Sequence, residues 1–340
     1  MTTEAFPEIP AAVPFLECRL HPVTTPQFMR ILAGAAKPSA LSPHRDEQPD
    51  SACSPQHSAL SSQSSALSPQ PSALSVESAA LRTQHSALSV ESSALSPQHS
   101  ALSVESSALR TPHSALSSQH SPLLVTYLNA HCSNLAARDA EYRAAVNRFG
   151  LVYADGQGVV WGSRALGAPV PERVNAGDFI PDFCRLCASE GIRLFLLGSY
   201  EGVPERAAQT WSKAAPGLTV AGTRHGFFTP EEEESVAAQI NAARPNILIV
   251  GMSAPRQELW TLRWAQRLHV PVIWCVGALF EYFSDTRLRA PVWMRRAGLE
   301  WLFRLALEPR RLWRRYLVGN ARFVWRVLRA RRKQALGFGL

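Results

Sequence analysis

The segment Asn246-Ile-Leu-Ile-Val-Gly251 places four consecutive aliphatic residues before a glycine. A short, continuous apolar run of this kind predicts a strand that is covered on both faces, as in a parallel sheet. Similar runs recur along the chain, at Leu123–Leu128, Gly150–Ala154, Arg193–Gly198, Leu218–Gly222 and Pro271–Gly277. Helical patterns separate them, including one over Asn134–Asn147. The alternation predicts an α/β fold, namely a Rossmann-like, largely parallel sheet covered by helices.

Between His57 and Gln119 the chain consists of nine consecutive heptads, of which His85-Ser-Ala-Leu-Ser-Val-Glu91 is typical. Ala and Leu are adjacent in each unit instead of three and four residues apart, so no coiled-coil seam is encoded. The segment is rich in Ser and lacks aromatic residues, and we expect it to bury too little apolar surface to offset its chain entropy. Four parts are predicted: 1–39, the N-terminal start of the α/β domain; 40–121, a disordered Ser-rich insertion; 122–286, the α/β domain itself; and 287–340, a helical, basic C-terminal appendage.

The six cysteines show no disulfide framework, and Cys184 and Cys187 form a C-x-x-C within a helical pattern, which favours buried thiols. The nearest approach to a metal-binding D-x-D pair is Asp139-Ala-Glu141, which also lies in a helical pattern and favours an exposed helix face. We therefore expect neither a metal nor a cofactor. The start, Met1-Thr-Thr-Glu4, has no basic region followed by an apolar run, which argues against a secretory signal and favours the cytoplasm.

The C-terminal segment carries most of the positive charge. Between Arg287 and Lys333 there are 15 basic and two acidic residues, whereas the whole chain has a formal charge of +8. Four tryptophans are interleaved with these cations, a composition that suits an interface between water and anionic lipid. A solvated basic tail and a tail that binds nucleic acid are the alternatives.

The same segment has helical periodicity. Arg311, Arg315 and Arg322 share one helix face with further basic residues, and apolar residues such as Phe323 and Val327 follow the same rhythm. This pattern predicts an amphipathic helix. Because no apolar run approaches the roughly 18 residues of a spanning helix, we expect the helix to lie on a bilayer. The alternative is that its apolar face docks on the protein.

Polar residues follow the predicted strands at the point where each strand ends. They are Thr126 and Asn129 at the first, Asp155-Gly156-Gln157 at the second, Gly198 at the third, and Gly251, Gln257 and Glu258 at the fifth. Ligands of parallel sheets bind beyond the carboxyl ends of the strands, so these residues form the candidate site. Glycine turns and helix N-termini there suit a diphosphate. Neither a G-x-G-x-x-G nor a Walker A loop is present, which argues against dinucleotide oxidoreductases and nucleotide triphosphatases.

Asp155 is the candidate for chemistry. A carboxylate at a strand end among glycines is suited to act as a general base. The alternative is that its side chain only caps the following turn.

A series of motifs gives a more specific indication. They are Asn129-Ala130, Ala154-Asp-Gly-Gln-Gly-Val-Val-Trp161, Glu172-Arg-Val-Asn-Ala-Gly-Asp178, Leu194-Phe-Leu-Leu-Gly198, Val250-Gly-Met-Ser-Ala-Pro-Arg-Gln-Glu-Leu-Trp260, Arg289-Ala-Pro-Val-Trp293, Gly298-Leu-Glu-Trp-Leu-Phe-Arg-Leu305 and Glu308-Pro-Arg-Arg311. In this order they resemble the WecG/TagA/CpsF family, glycosyltransferase family 26. The resemblance covers about 123–320.

The resemblance implies an inverting, metal-independent glycosyltransferase of cell-surface polysaccharide biosynthesis, peripheral on the cytoplasmic face of the cell membrane. The donor would be a UDP-sugar (N-acetylmannosamine type, its uronic acid, or glucose), and the acceptor a polyprenyl-diphosphate-linked saccharide. Asp155 would be the base. Asn129, Arg173 and Gln257 would hold the donor or its diphosphate, and arginines of the C-terminal segment would complete the site. Asp178, from the same motif as Arg173, and the appendage residue Arg289 are further substrate-binding candidates.

Partners and alternatives complete these expectations. An anionic membrane surface is expected as a partner, nucleic acid is not, and a homo-oligomer is left open. One alternative is a non-enzymatic protein that binds nucleic acid or an anionic surface. Another is a degenerate, inactive transferase, suggested by departures from the family pattern such as the extra residue in Thr126-Tyr-Leu-Asn129.

Overall fold

The computed structural model describes residues 8–37, 121–284, 286 and 288–337. The heptads lie outside these residues, as does the predicted insertion 40–121 apart from Ser121.

The chain starts with a short antiparallel hairpin, β1 (Val13–Phe15) and β2 (Cys18–Leu20), and the helix α1 (Thr25–Ala36). The α/β part then follows in the order β3 (Leu123–Leu128), α2 (Ala130–Arg138), α3 (Ala140–Asn147), β4 (Leu151–Ala154), α4 (Gln157–Ala165), α5 (Ala176–Ser189), β5 (Arg193–Gly198), α6 (Val203–Ala214), β6 (Thr219–Arg224), α7 (Glu233–Ala243), β7 (Ile247–Gly251), α8 (Arg256–Trp264) and β8 (Val272–Cys275). The appendage contains α9 (Val292–Arg296), α10 (Glu300–Leu307), α11 (Pro309–Trp313), a π-helical turn (Arg314–Val318) and α12 (Gly319–Ala335).

Six strands form one parallel sheet in the order β4-β3-β8-β7-β5-β6. Every residue of β4, β7 and β8 is buried, as expected for apolar strands covered on both faces. Leu128 is paired with Ala154, and Gly198 with Gly251, so these carboxyl ends lie level at one edge of the sheet. The predicted fold class is confirmed.

Residues before the repeats pack into the same body. Phe28 of α1 has its ring centroid 4.6 Å from that of Tyr153 and 5.4 Å from that of Trp274. His21 donates its backbone N–H to Val152 O at 2.8 Å, and Val152 N–H donates to His21 Nδ1 at 3.0 Å. Burial lowers the pKa of His21, which keeps this nitrogen available as an acceptor. Phe28 thus covers a face of the sheet, and the hydrogen bonds between His21 and Val152 cover the outer edge of β4.

The helix predicted over Asn134–Asn147 is in fact two helices, α2 and α3, which meet at Asp139. Asp139 has an extended backbone, and its Oδ1 accepts a hydrogen bond from Tyr142 N at 2.9 Å. The break has a local cause, because aspartate caps a helix start better than it continues a helix interior. Asp139 is therefore a capping residue.

The apolar stripe of α12 docks on the protein. Phe323, Val327 and Ala330 are buried, and the ring centroid of Phe323 lies 6.2 Å from that of Phe15. The apolar face of this helix therefore docks on the protein, which was the alternative to a helix lying on a bilayer. Other large apolar side chains of the appendage, among them Trp293, remain exposed. Within the described residues, no helix combines the length and the apolarity needed to cross a bilayer.

Candidate active site

A cavity of about 860 Å³ lies between the carboxyl edge of the sheet and the appendage. Residues that follow five of the strands line it: Asn129 after β3, Asp155 after β4, Tyr200 after β5, Ser253 after β7 and Val276 after β8. The facing wall comes from the appendage and includes Glu300, Arg304, Arg315 and Asn320. The cavity thus occupies the position at which parallel sheets bind ligands.

Asp155 faces this cavity. Its backbone N–H donates to Leu128 O at 3.0 Å, which fixes it beside the end of β3. Burial raises the pKa of its carboxyl group to about 7; Arg173 and a hydrogen bond from Asn175 oppose this rise, and Glu300 adds to it. The N-cap of α4 is Gly156, and no side-chain hydrogen bond caps that helix. The structure therefore favours a cavity-facing carboxyl group over a turn cap.

Asn175 connects Asp155 to the appendage. Its amide nitrogen donates to Asp155 Oδ1 at 2.8 Å, and its Oδ1 accepts from Arg289 Nη2 at 3.1 Å. Because both ends of the amide have partners, its orientation is fixed. Arg289 also donates to the backbone oxygen of Gly177. A Cβ on Gly177 would lie 2.8 Å from Arg289 Nη2, so glycine is what admits the guanidinium group this closely.

Asp178 is the centre of an arginine cluster. Its carboxylate accepts from Arg173 and from Arg289 at 2.6 Å each, and also from Arg295. Three guanidinium groups around one carboxylate leave a local excess of positive charge. Arg173 faces the cavity, where it also lies 3.6 Å from Glu300, whereas Asp178 and Arg289 lie outside the cavity wall. The latter two hold Arg173 and Asn175 in place.

Two arginines of the appendage reach the cavity and are held by aromatic rings. Arg304 lies 5.1 Å from the ring centroid of Tyr282 and donates to Tyr316 Oη at 3.3 Å. Arg315 lies 5.8 Å from the ring centroid of Tyr316. Stacking on a ring holds a guanidinium group without neutralising its charge. His131 lies on the same wall; burial, then Arg315 and Arg138, lower its pKa to about 4, so it is uncharged at neutral pH.

Cations outnumber anions in the cavity wall. Four arginines (Arg173, Arg304, Arg311, Arg315) face three carboxyl groups (Asp155, Glu281, Glu300). Since burial raises the pKa of Asp155 toward neutrality, the balance favours an anionic ligand such as a diphosphate. Over the part of the chain that the structure describes, no group of three His, Cys, Asp or Glu residues is placed to hold a metal ion.

Thr126, Gln257 and Glu258 form a buried network away from the cavity wall. Thr126 Oγ1 and Gln257 Nε2 donate to Glu258 Oε1 at 2.9 and 2.8 Å, and Gly277 N donates to Gln257 Oε1 at 3.0 Å. Burial raises the pKa of Glu258 to about 7. Its other oxygen, Oε2, has no hydrogen-bond partner among the described residues. All three side chains are fully buried and lie outside the cavity wall, so these predicted binding residues support the site from behind the wall.

The predicted glycines divide into two groups. Gly198 has φ +143°, and a Cβ there would lie 2.4 Å from Gly251 O. A Cβ on Gly251 would in turn lie 2.8 Å from the ring of Phe280. These two glycines allow close packing where β5 meets β7, and they lie outside the cavity wall, whereas Gly156 and Gln157 line it.

Other cavity residues were not selected by the strand-end argument. Asn175, Tyr282, Glu300, Arg304 and Arg315 belong to this group. Asn175, Glu300 and Arg304 lie inside two of the quoted motifs, and Arg315 belongs to the basic helical stripe, so signals existed for four of the five. Their convergence depends on how the appendage folds over the sheet.

The model of the Glycosyl transferase WecG/TagA/CpsF family matches residues 95–336. N-acetylglucosaminyldiphosphoundecaprenol N-acetyl-beta-D-mannosaminyltransferases of Staphylococcus aureus, strains NCTC 8325 and COL, are each 27% identical over 211 residues, which cover 62% of this chain and 82% of each relative. The family match includes every residue of the cavity wall and the appendage as far as Leu336. The chain therefore belongs to the WecG/TagA/CpsF family and is a glycosyltransferase.

Proposed function

We propose that the protein transfers an N-acetylmannosamine-type sugar, with inversion, from a UDP-sugar to a polyprenyl-diphosphate-linked saccharide. The Staphylococcus aureus relatives are named for transfer of an N-acetyl-beta-D-mannosaminyl group to N-acetylglucosaminyldiphosphoundecaprenol. Their name supports this sugar over its uronic acid and over glucose, the other two donor types considered. The product would serve cell-surface polysaccharide biosynthesis.

The observation that carries the proposal is a partly buried carboxyl group within a cationic cavity. Asp155 has a pKa of about 7, which is well matched to a base at neutral pH. Arg173, Arg304 and Arg315 line the same cavity. A sugar transfer from a nucleoside diphosphate needs both parts, a base for the acceptor hydroxyl group and cations for the leaving diphosphate.

The reaction follows from this arrangement. The carboxylate of Asp155 takes the proton of the acceptor hydroxyl group as that oxygen forms a bond to the anomeric carbon. The bond from this carbon to the diphosphate breaks, and UDP leaves with the electron pair. Attack opposite the leaving group inverts the anomeric centre. Arg173 and Arg304 stabilise the charge that grows on the diphosphate, because charge-assisted guanidinium bonds strengthen as that charge develops.

The remaining predicted residues either line the cavity or hold the residues that do. Asn129, Gly156 and Gln157 line the cavity at the starts of α2 and α4, where helix N-termini favour a phosphate. Asp178 and Arg289 act as positioning residues for Arg173 and Asn175. Five buried or closely packed residues support the carboxyl edge of the sheet without lining the cavity: Thr126, Gln257, Glu258, Gly198 and Gly251.

Association with the inner face of the cell membrane is part of the proposal. Trp293, Trp313 and Leu317 are exposed on the appendage next to arginines such as Arg296 and Arg314. Indole rings and cations favour an anionic lipid surface, and such binding weakens as salt rises. We expect the protein to sediment with anionic vesicles at low salt and to be released at high salt; absence from the vesicle pellet at low salt would exclude this part.

The proposed reaction is tested with a panel of UDP-sugars against undecaprenyl-diphosphate-linked N-acetylglucosamine. We expect label to move to the lipid from UDP-N-acetylmannosamine, with little transfer from UDP-glucose or from the uronic acid donor. Absence of transfer from every donor would refute the proposed reaction. Preferential transfer from another donor would refute the choice of sugar.

A further inference from the structure

The cavity has a second, apolar part. Away from Asp155 it continues between α4 and α12, where its lining consists of Trp161, Ala165, Phe323, Val324, Val327 and Leu328, together with Gly162. The contributing residues of α4 are spaced by three and four along one helix face, and so are those of α12. The two faces meet along a seam, and its exposed border forms a surface groove, which we call the α4–α12 groove.

The direction of the groove follows from the helix contacts. A Cβ on Gly158 would lie 3.5 Å from the ring of Phe323, and one on Gly162 would lie 3.3 Å from Val327. Each helix advances by one turn between these contacts, so α4 and α12 run in the same direction. The groove therefore begins beside Asp155 and extends over the nine residues from Gln157 to Ala165, which is about 12 Å along the helix.

The groove is apolar yet open to solvent. Trp161 is 59% exposed, Val324 51% and Leu328 57%. A contiguous group of exposed apolar side chains around a groove is typical of a surface that binds a ligand, a membrane or another protein. The cationic end of the same cavity carries Arg304 and Arg315. One cavity thus has a head that suits a diphosphate and an extension that suits hydrocarbon.

We infer that the α4–α12 groove binds the isoprene units of the acceptor nearest its diphosphate, while Arg311 and Arg315 bind that diphosphate. The inference rests on the proposed function and names the part of the protein that recognises the lipid. The charge pattern selects this occupant. A UDP-sugar has no hydrocarbon to cover the groove, and along Trp161, Val324 and Leu328 a saccharide would meet a single hydrogen-bonding group, the indole N–H of Trp161.

The first test locates the lipid on the full-length protein. Undecaprenyl diphosphate with a diazirine on an isoprene unit near the diphosphate is bound in detergent micelles and photolysed, and the labelled peptides are mapped by mass spectrometry. We expect labels on Trp161, Val324 or Leu328 that unlabelled undecaprenyl diphosphate displaces. Labelling spread evenly over exposed apolar residues outside the groove, such as Trp293 and Leu302, would overturn the inference.

The second test measures selectivity for the lipid. N-acetylglucosamine diphosphate is presented either on undecaprenol or on a short alkyl chain, both in micelles, and kcat/KM is measured for each. Trp161→Ala should lower the ratio of long-chain to short-chain kcat/KM roughly tenfold, because an apolar contact with the chain is lost. The control is Trp325→Ala, on α12, where Trp325 is 56% exposed but lies outside the cavity wall. It should leave the ratio unchanged, and equal changes in both variants would overturn the inference.

The two tests separate the groove from the reaction. Labelling of the groove without sugar transfer would leave the groove standing and refute the proposed function. Transfer to the undecaprenyl acceptor with labels only elsewhere would refute the groove and leave the proposed function standing.

Discussion

Replacing Asn175 with Ala should move the acidic limb of the pH profile of kcat/KM to higher pH, and replacing Glu300 with Gln should move it to lower pH. In the wild-type protein the limb should have its midpoint near pH 7, where Asp155 loses its proton. A general base works only when it is deprotonated, so the rate rises as pH passes through that value. The hydrogen bond from Asn175 stabilises the carboxylate, whereas the charge of Glu300 destabilises it.

The size of the first shift follows from the 2.8 Å hydrogen bond between Asn175 Nδ2 and Asp155 Oδ1. Hydrogen bonds to charged groups contribute about 1.5–3 kcal/mol, and one pH unit corresponds to about 1.4 kcal/mol. With allowance for water that enters the site in the variant, we expect the midpoint to rise by about one pH unit. For Glu300→Gln we expect a shift of opposite sign.

The assay is kcat/KM for the free enzyme between about pH 5 and pH 9 at fixed ionic strength. Asn320→Ala is the matched control, because Asn320 is an amide on the same cavity wall that does not hydrogen-bond to Asp155. Its midpoint should equal that of the wild type. If Asn175→Ala and Glu300→Gln move the midpoint in the same direction, or if neither moves it, Asp155 is not the group that sets the limb.

Three further outcomes follow from the same structure. Arg304→Ala should lower kcat/KM about 10²- to 10³-fold, with partial recovery in Arg304→Lys, because a charge on the leaving group loses its partner; an unchanged rate would remove Arg304 from the mechanism. Glu258 ionises near 4.5 when unfolded and near 7 when folded, so its contribution to stability falls as pH rises between these values. As pH rises from 4.5 to 7, the free energy of unfolding of Glu258→Gln, measured in urea, should therefore increase by up to about 3 kcal/mol relative to that of the wild type. A difference in unfolding free energy that does not change with pH would contradict this. Phe323→Ala should lower the unfolding free energy by about 3 kcal/mol, whereas Trp325→Ala should stay within about 0.5 kcal/mol; equal losses would show that α12 is not docked through Phe323.

Much of the fold was predictable because the strands carry their own signal. Runs such as Ile247–Gly251 are apolar throughout, and so short a run between Pro245 and Gly251 favours a strand that is buried on both faces. The position of Asp155 was predictable for the same reason, since a parallel sheet gathers its strand ends at one edge. The break at Asp139 was not predicted, because helical periodicity continues across it while the capping bond to Tyr142 acts locally.

The direction in which individual side chains point could not be predicted from the sequence. Thr126 and Asn129 were both assigned to the end of β3, yet Thr126 lies within the strand, buried against Glu258, whereas Asn129 follows the strand and faces the cavity. Proximity to a strand end does not determine on which side of the sheet a residue lies, since alternate residues face opposite sides. For the appendage, the sequence likewise did not determine where the apolar helix face packs. Periodicity predicted an amphipathic helix, but only the contacts of Phe323 and Val327 show that this face docks beside the cavity.

Transfer of labelled N-acetylmannosamine by the wild type and by Asp155→Asn tests directly whether Asp155 is the general base of a glycosyl transfer. Both proteins receive UDP-N-acetylmannosamine and undecaprenyl-diphosphate-linked N-acetylglucosamine, and binding of UDP is measured in parallel. The account predicts transfer by the wild type and a rate about 10²- to 10⁴-fold lower for Asp155→Asn with UDP binding retained, because the near-isosteric amide accepts no proton. Near-normal transfer by Asp155→Asn would contradict the account.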